Sequence, residues 1–416
     1  MQILKKKNNS YRIILEIFLG LFVLSGCSNS TIVEPIITTT PIIKECDYLN
    51  LENKTVKLTN DLEIYNIDNK VVGIMKADNV INLSEVNNCY IAIKDSDYYI
   101  KSDEVEVVHD DKIIEDSLIP YSKNLITKDN FILYDFFGRN RYEFNSSMNF
   151  ELYVLRDNIS GNYGVKFSED ILYINENDIK SIEENDNIIN VELAQELPVM
   201  MYHFFYDKAN GESKRDNNWL EINDFEEQLK FLNSNNYNSL NMKEIYLFTK
   251  GLAQIPDKSY GLTIDDGNES VYRLAYPLLL ENNIKATNFV IGGWMGPYLP
   301  YEFIEMRLNN VEAQSHSFLM HEGGCPNSKG KLVCSDYDTV FQDTLMSLQY
   351  VDNGFSYCYP FGQYSESNFE PMQKAGVKLA FTTEYGKITQ GNNLMKLPRI
   401  RISADDSIIT YESKLK

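Results

Sequence analysis

The feature that most constrains this chain is a change of pattern near Leu193. Beyond it, short apolar segments alternate with helical stretches over about 220 residues, the rhythm of a parallel sheet with helices packed outside it. Strands are predicted at Pro198–Tyr202, Tyr260–Ile264, Ala286–Ile291, Val311–Gln314, Ser356–Tyr359, Leu379–Thr382 and Leu397–Ile402. Helices are predicted at Asp224–Ser234, Glu269–Asn282, Tyr337–Tyr350 and Glu366–Ala375. A chain of this kind closes into an α/β barrel or winds into an open sheet. In barrels the chemistry gathers where strands end and loops begin.

Residues from about 50 to about 185 follow another pattern, in which apolar and β-branched residues alternate between Asn, Asp and Gly turns, as in an all-β region. A faint repeat runs through it. The stretch from Tyr98 to Val105 has the pattern of Leu172 to Ile179. Thr59-Asn60-Asp61 before Tyr65 has that of Thr127-Lys128-Asp129 before Tyr134. Two consecutive small barrels of the bacterial SH3-like kind are expected, at 50–108 and 109–187. They would serve as spacers or as binders of cell-wall peptides and glycans.

The N-terminus speaks to compartment. Lys5, Lys6, Lys7 and Arg12 precede an apolar run from Ile13 to Leu24 that ends in Leu24-Ser25-Gly26-Cys27. The run falls short of the ~20 apolar residues a bilayer needs and fits a signal peptide. The four-residue ending resembles a bacterial lipobox, with Cys27 as the lipid acceptor. Residues 1–27 are therefore expected to be a lipoprotein signal, and 28–49, rich in Ser, Thr and Pro, a tether. The protein is expected outside the cytoplasm, anchored to the membrane by its lipid. A net charge of −21 argues against nucleic acid, whose phosphates it would repel, and is compatible with neutral or cationic glycans. Of the six cysteines, Cys325 and Cys334 bracket a short loop and suit a disulfide in an exported protein. Cys46 and Cys89 could pair as well, leaving Cys358 as a buried small hydrophobe.

Five segments carry polar groups to predicted strand ends. Gly261-Leu262-Thr263-Ile264-Asp265-Asp266-Gly267 delivers two adjacent carboxylates before a turn. Gln314-Ser315-His316 ends a second strand, and His321 follows five residues later. Met200-Met201-Tyr202-His203 ends a third. Tyr357-Cys358-Tyr359-Pro360-Phe361-Gly362 is a strand running into a Pro/Gly turn, and Leu397-Pro398-Arg399 lies on the last strand. Two imidazoles and a carboxylate can hold one divalent ion and leave positions open for substrate.

Taken together, residues from about Leu193 to Ser403 resemble the polysaccharide deacetylase family, carbohydrate esterase family 4. Thr263-Ile264-Asp265-Asp266 matches its first motif and the His316/His321 pair its second. The five-residue histidine spacing, the Met-Tyr-His strand and the Tyr-Pro-Phe-Gly turn are similar to the poly-N-acetylglucosamine deacetylase branch. The resemblance implies a distorted (β/α) barrel at 193–416, preceded by the two all-β modules. It implies that Asp265 is the catalytic base, that Asp266, His316 and His321 are metal ligands, and that His203 is the acid. The metal would be one divalent ion, zinc by default, with cobalt, nickel, iron or manganese suited to the same set. Tyr359, Pro360, Phe361 and Trp294 would meet the substrate, the turn supplying a backbone N–H to the oxyanion. The implied reaction is hydrolysis of N-acetyl groups on an amino-sugar polymer of poly-N-acetylglucosamine or peptidoglycan type, releasing acetate.

Two departures stand out. The family's Arg-x-Pro motif, whose Arg orients the base, has Cys358 or its neighbours in that stretch. The late Leu-x-His motif has no His, and Leu397-Pro398-Arg399 stands in for part of it. These departures keep open a second reading, a catalytically silent glycan- or cell-wall-binding lipoprotein on the same fold. The absence of a His-Glu-x-x-His segment counts against a common zinc peptidase.

Overall fold

The computed structural model describes residues 55–87, 90–101, 105–109, 116–185, 191–352 and 354–416. The expected signal segment with Cys27, the tether, and the Cys46–Cys89 pairing lie outside the described residues.

Among the described residues, fourteen strands form the all-β part. The first seven are β1 (Thr55–Leu58), β2 (Leu62–Tyr65), β3 (Val71–Met75), β4 (Val80–Asn87), β5 (Tyr90–Ile93), β6 (Tyr99–Lys101) and β7 (Val105–His109). The second seven are β8 (Lys123–Thr127), β9 (Phe131–Tyr134), β10 (Asn140–Phe144), β11 (Asn149–Val154), β12 (Asn162–Phe167), β13 (Asp170–Asn175) and β14 (Ile179–Glu184). The hydrogen-bonded order is β3-β2-β6-β5-β4-β1-β7 in the first set and β10-β9-β13-β12-β11-β8-β14 in the second. Position for position these are the same path, so the faint sequence repeat is a repeat of topology. The equivalent strands β3 and β10 pair antiparallel, Met75 opposite Tyr142 and Gly73 opposite Phe144. One apolar cluster runs across the junction, taking Ile64, Met75 and Ile100 from one set and Leu133, Tyr142 and Phe144 from the other. The expected boundary between 108 and 109 falls inside β7, and one apolar core spans both sets of strands.

The remaining chain forms a closed parallel barrel of seven strands. They are β15 (Val199–Tyr202), β17 (Ser259–Ile264), β18 (Ala286–Val290), β19 (Val311–Ser315), β20 (Ser356–Cys358), β21 (Leu379–Tyr385) and β22 (Leu397–Arg401), with closure by β15 pairing to both β17 and β22. β15, β17 and β18 are buried at every position, as strands covered on both faces must be, which is why they read as unbroken apolar runs. All seven predicted strands are these seven. The extra strand β16 (Asn238–Leu240) takes the first part of one β17 edge, opposite Ser259–Gly261, and β18 takes over only at Thr263 and Ile264. That shared edge distorts the barrel, and three residues were too few to announce it.

The helix Tyr337–Tyr350 has the predicted bounds, with Asp336 capping it by accepting from the Thr339 N–H. The predicted helix at 269–282 is divided into a widened turn, Val271–Ala275, and a helix, Tyr276–Glu281, with Pro277 in its first turn. Helices at Met242–Thr249, Tyr301–Leu308 and Ile408–Leu415 were not expected. Cys325 and Cys334 are joined in a disulfide, and Cys358 is free and buried.

Candidate metal and catalytic site

Strands β17, β19 and β20 deliver their last residues to one end of the barrel. Three non-glycine residues there hold left-handed backbone: Asp266 (φ 76°), Ser317 (φ 73°) and Phe361 (φ 59°). Such conformations persist where surrounding structure enforces them and concentrate at functional sites. Each follows a strand end directly or closely, so the chain turns as it leaves the sheet and aims its polar groups across the mouth.

Asp266 Oδ1 lies 3.3 Å from His316 Nε2 and 3.5 Å from His321 Nε2. A tetrahedral ion with bonds of about 2.0–2.1 Å holds its ligand atoms roughly 3.3–3.5 Å apart, so each imidazole nitrogen stands from Asp266 at the distance such an ion requires. The His316 Nδ1–H donates to the Cys358 carbonyl at 2.8 Å. That bond orients the ring so that Nε2 faces Asp266, the usual outer support of a metal-binding imidazole. Burial pushes the Asp266 carboxyl up, but the hydrogen bond and charge of His316 outweigh it and its pKa is lowered. His321 is lowered by burial, and the neighbouring His316 adds to the effect, which favours the neutral, ligating form.

Asp265 sits directly beneath, 2% exposed. Arg399 grips it with two parallel bonds, Nη1 to Oδ1 at 2.8 Å and Nη2 to Oδ2 at 2.7 Å. Arg399 also donates to Thr263 Oγ1 and to the Thr382 carbonyl. Burial alone would raise the Asp265 carboxyl, yet the guanidinium's charge and hydrogen bonds hold it well below the usual carboxylate range. Cys358 completes the packing, its Sγ 2.9 Å from Arg399 Nη2 and 3.4 Å from Asp265 Oδ2. Burial raises the Cys358 thiol, so it is neutral and small. The expectation of a plain buried hydrophobe is thus incomplete: Cys358 leaves room for the guanidinium. Arg399, two strands along from Cys358, was the residue the sequence did not assign. Its signal was its place in the last of the five segments, Leu397-Pro398-Arg399, which was given no role of its own.

His203 follows β15, and its imidazole is within electrostatic reach of Asp265 and Asp266. Burial lowers its pKa, and the two carboxylates oppose that shift. Two aromatic rings flank His321: Phe361 at 4.4 Å and Trp294 at 5.2 Å between centroids. They are 49% and 60% exposed, so each offers a free face. Pro360 is buried in the turn. Tyr359 differs from expectation. Its ring is fully buried and its hydroxyl donates to the Met395 carbonyl, so it has no face for a sugar.

The polysaccharide deacetylase family model matches residues 253–380. Poly-β-1,6-N-acetyl-D-glucosamine N-deacetylase of Staphylococcus aureus strain MRSA252 is 31% identical over 195 residues, 44% of this chain and 67% of that protein. The chain belongs to the polysaccharide deacetylase family. It is a deacetylase acting on polysaccharide, in a family that depends on metal, and Asp266, His316 and His321 form the candidate site for that metal. Among solved structures, the deacetylase PplD of Streptococcus pyogenes in complex with acetate is 25% identical with a TM-score of 0.46, covering 53% of this chain and 98% of that one. IcaB from Ammonifex degensii is 21% identical with a TM-score of 0.48, covering 54% and 99%. The family assignment rests on the sequence matches.

Proposed function

We propose that this deacetylase hydrolyses N-acetyl groups of a poly-β-1,6-N-acetylglucosamine-type polymer and releases acetate, with one divalent ion, zinc by default, held by Asp266, His316 and His321. The observation that carries this reading is the convergence of one carboxylate oxygen and two imidazole nitrogens at 3.3 and 3.5 Å, beside a carboxylate already paired to a guanidinium. The substrate class comes from the named Staphylococcus relative.

A divalent ion held by Asp266, His316 and His321 would lower the pKa of a water and polarise the amide carbonyl. Asp265 takes the proton of the attacking water as general base. Arg399 keeps that carboxylate ionised and aimed, since a bidentate guanidinium allows it little rotation. The oxyanion needs a donor from the turn after β20. The Tyr359 N–H goes to the Phe381 carbonyl and that of Gly362 to the Tyr359 carbonyl, while Pro360 has none, so the Phe361 N–H takes this part. His203 protonates the departing sugar amine, and its lowered pKa makes it a readier donor once it carries a proton. Phe361 and Trp294 offer their exposed faces to the pyranose.

The first 27 residues we read as a lipoprotein signal with Cys27 as the lipid acceptor, which would place the enzyme outside the cytoplasm on the membrane. The all-β repeats we read as SH3-like modules that space the barrel from the surface or bind wall polymer. An acetate-release assay on poly-β-1,6-N-acetylglucosamine, chitin oligomers and peptidoglycan, with and without chelator, tests the central claim. Acetate from the first substrate, lost with chelator and restored by Zn²⁺, is expected. Metal uptake with no acetate from any of the three would favour the silent glycan-binding reading.

A further inference from the structure

The segment that carries both histidine ligands, 316–321, is held from two sides. On one side Gly292 and Gly293 donate their N–H groups to the Ser317 and Phe318 carbonyls at 3.1 and 2.9 Å. Neither tolerates a side chain, since a Cβ would come within 2.5 Å of the Phe318 ring or 2.6 Å of its carbonyl oxygen. On the other side lies the helix Tyr337–Tyr350. Asp343 Oδ1 accepts from the Phe318 N–H at 3.0 Å, and Oδ2 accepts from the Leu319 N–H at 2.6 Å. One turn further, Ser347 Oγ meets Ser315 Oγ at 2.7 Å. The two side chains are four apart and so share one helix face.

Two successive backbone N–H groups aimed at one carboxylate form an arrangement only a carboxylate satisfies. An amide of the same shape would turn an NH₂ against one of the two donors. The contacted residues fall between the ligands, directly after the left-handed Ser317, where the path of the loop sets how far His321 stands from His316.

We propose that Asp343 is a positioning residue for the metal centre: by clamping the Phe318 and Leu319 N–H groups it fixes the separation and aim of the two imidazole ligands. This rests on the metal-dependent reading above. Neither sequence motif includes Asp343, which reaches the loop only because the helix packs behind β19. Outer-shell partners of this kind typically change metal affinity by about 10–100-fold when removed.

The test uses the full chain and Zn²⁺ titrated in competition with a chromophoric chelator, with melting of the metal-free proteins in parallel. Asp343→Asn keeps the size of the side chain and is expected to weaken Zn²⁺ binding by about 10–100-fold. Asp336→Ala serves as the comparison. It removes the N-cap of the same helix, where Asp336 accepts from the Thr339 N–H at 2.9 Å, without touching the loop. It is expected to lower the melting temperature and leave Zn²⁺ affinity unchanged. If Asp343→Asn binds Zn²⁺ as the wild type does, or if Asp336→Ala weakens binding equally, the assignment is overturned. A wild-type chain that takes up no Zn²⁺ would overturn the metal-dependent reading as well.

Discussion

At the strand N-terminal end of the barrel, Lys285 reaches Glu244 at 2.8 Å and Lys243 reaches Asp116 at 2.7 Å. Glu312 accepts there from the Met242 N–H and from Thr287. At the opposite end, Arg399 reaches Asp265 at 2.7 Å, while Asp266 faces two imidazoles and, among the described residues, no lysine or arginine. Both ends bury charge. The first end pairs Lys285 with Glu244 and Lys243 with Asp116, meets Glu312 with neutral donors, and docks the segment at Asp116 and Ser117 against the barrel. The second pairs one carboxylate with a guanidinium and leaves the adjacent one facing two imidazoles. A buried charge pair that is already complete reports on structure. A carboxylate converging with two imidazoles, outside any pairing with lysine or arginine, presents the donor set of a metal site.

Three substitutions probe that contrast. The largest effect is expected at the open end. Asp266→Ala should remove acetate release altogether, a greater loss than the ~10²–10⁴-fold carried by general acid–base help, with the barrel still folded by circular dichroism. Measurable turnover in that variant would place the metal elsewhere.

Arg399→Met comes next. It leaves Asp265 buried without its guanidinium, so burial's upward push on the carboxyl is no longer offset. In the wild type the depressed pKa keeps Asp265 ionised well into acid, and the stability it contributes is lost only as pH falls below the ordinary carboxylate range. In the variant the carboxyl takes up its proton at higher pH. The acid limb of the kcat–pH profile should therefore move upward, with kcat near neutrality down by about 10²–10⁴-fold. An unmoved acid limb would separate Arg399 from the base.

Lys285→Met acts at the closed end and should have the smallest effect on chemistry. Stranding Glu244 should cost about 3–5 kcal/mol of stability, read as a lower midpoint in urea. Zn²⁺ affinity and kcat per folded molecule should match the wild type. A parallel loss of metal binding would show that the two ends are coupled through the barrel.

Much of this was legible in the sequence because it is local. Strands buried on both faces announce themselves as apolar runs, so all seven barrel strands were found. The strand ends at Asp265–Asp266 and His316 pointed to the candidate site, because in barrels chemistry gathers where chain leaves sheet. What is short or non-local stayed hidden. β16 has three residues, too few for a period. Arg399 lay in a segment already singled out, but its role appears only when β22 closes beside β21 and carries it under Asp265. Asp343 reads as an ordinary polar position of an amphipathic helix. Tyr359 was expected to meet the substrate with the rest of its turn, but its ring packs into the core and its hydroxyl bonds the Met395 carbonyl.

The sequence by itself determined the alternation that makes the barrel, the repeat that makes the all-β part, and the residue types that converge at the mouth. Tertiary structure alone decided that the two repeats share one core through β3 and β10, and that a guanidinium from β22 occupies the space Cys358 leaves. The physical reason is the same in both cases: periodicity and turn chemistry are written along the chain, whereas pairing between distant strand edges and the filling of a buried space depend on which segments closure brings together.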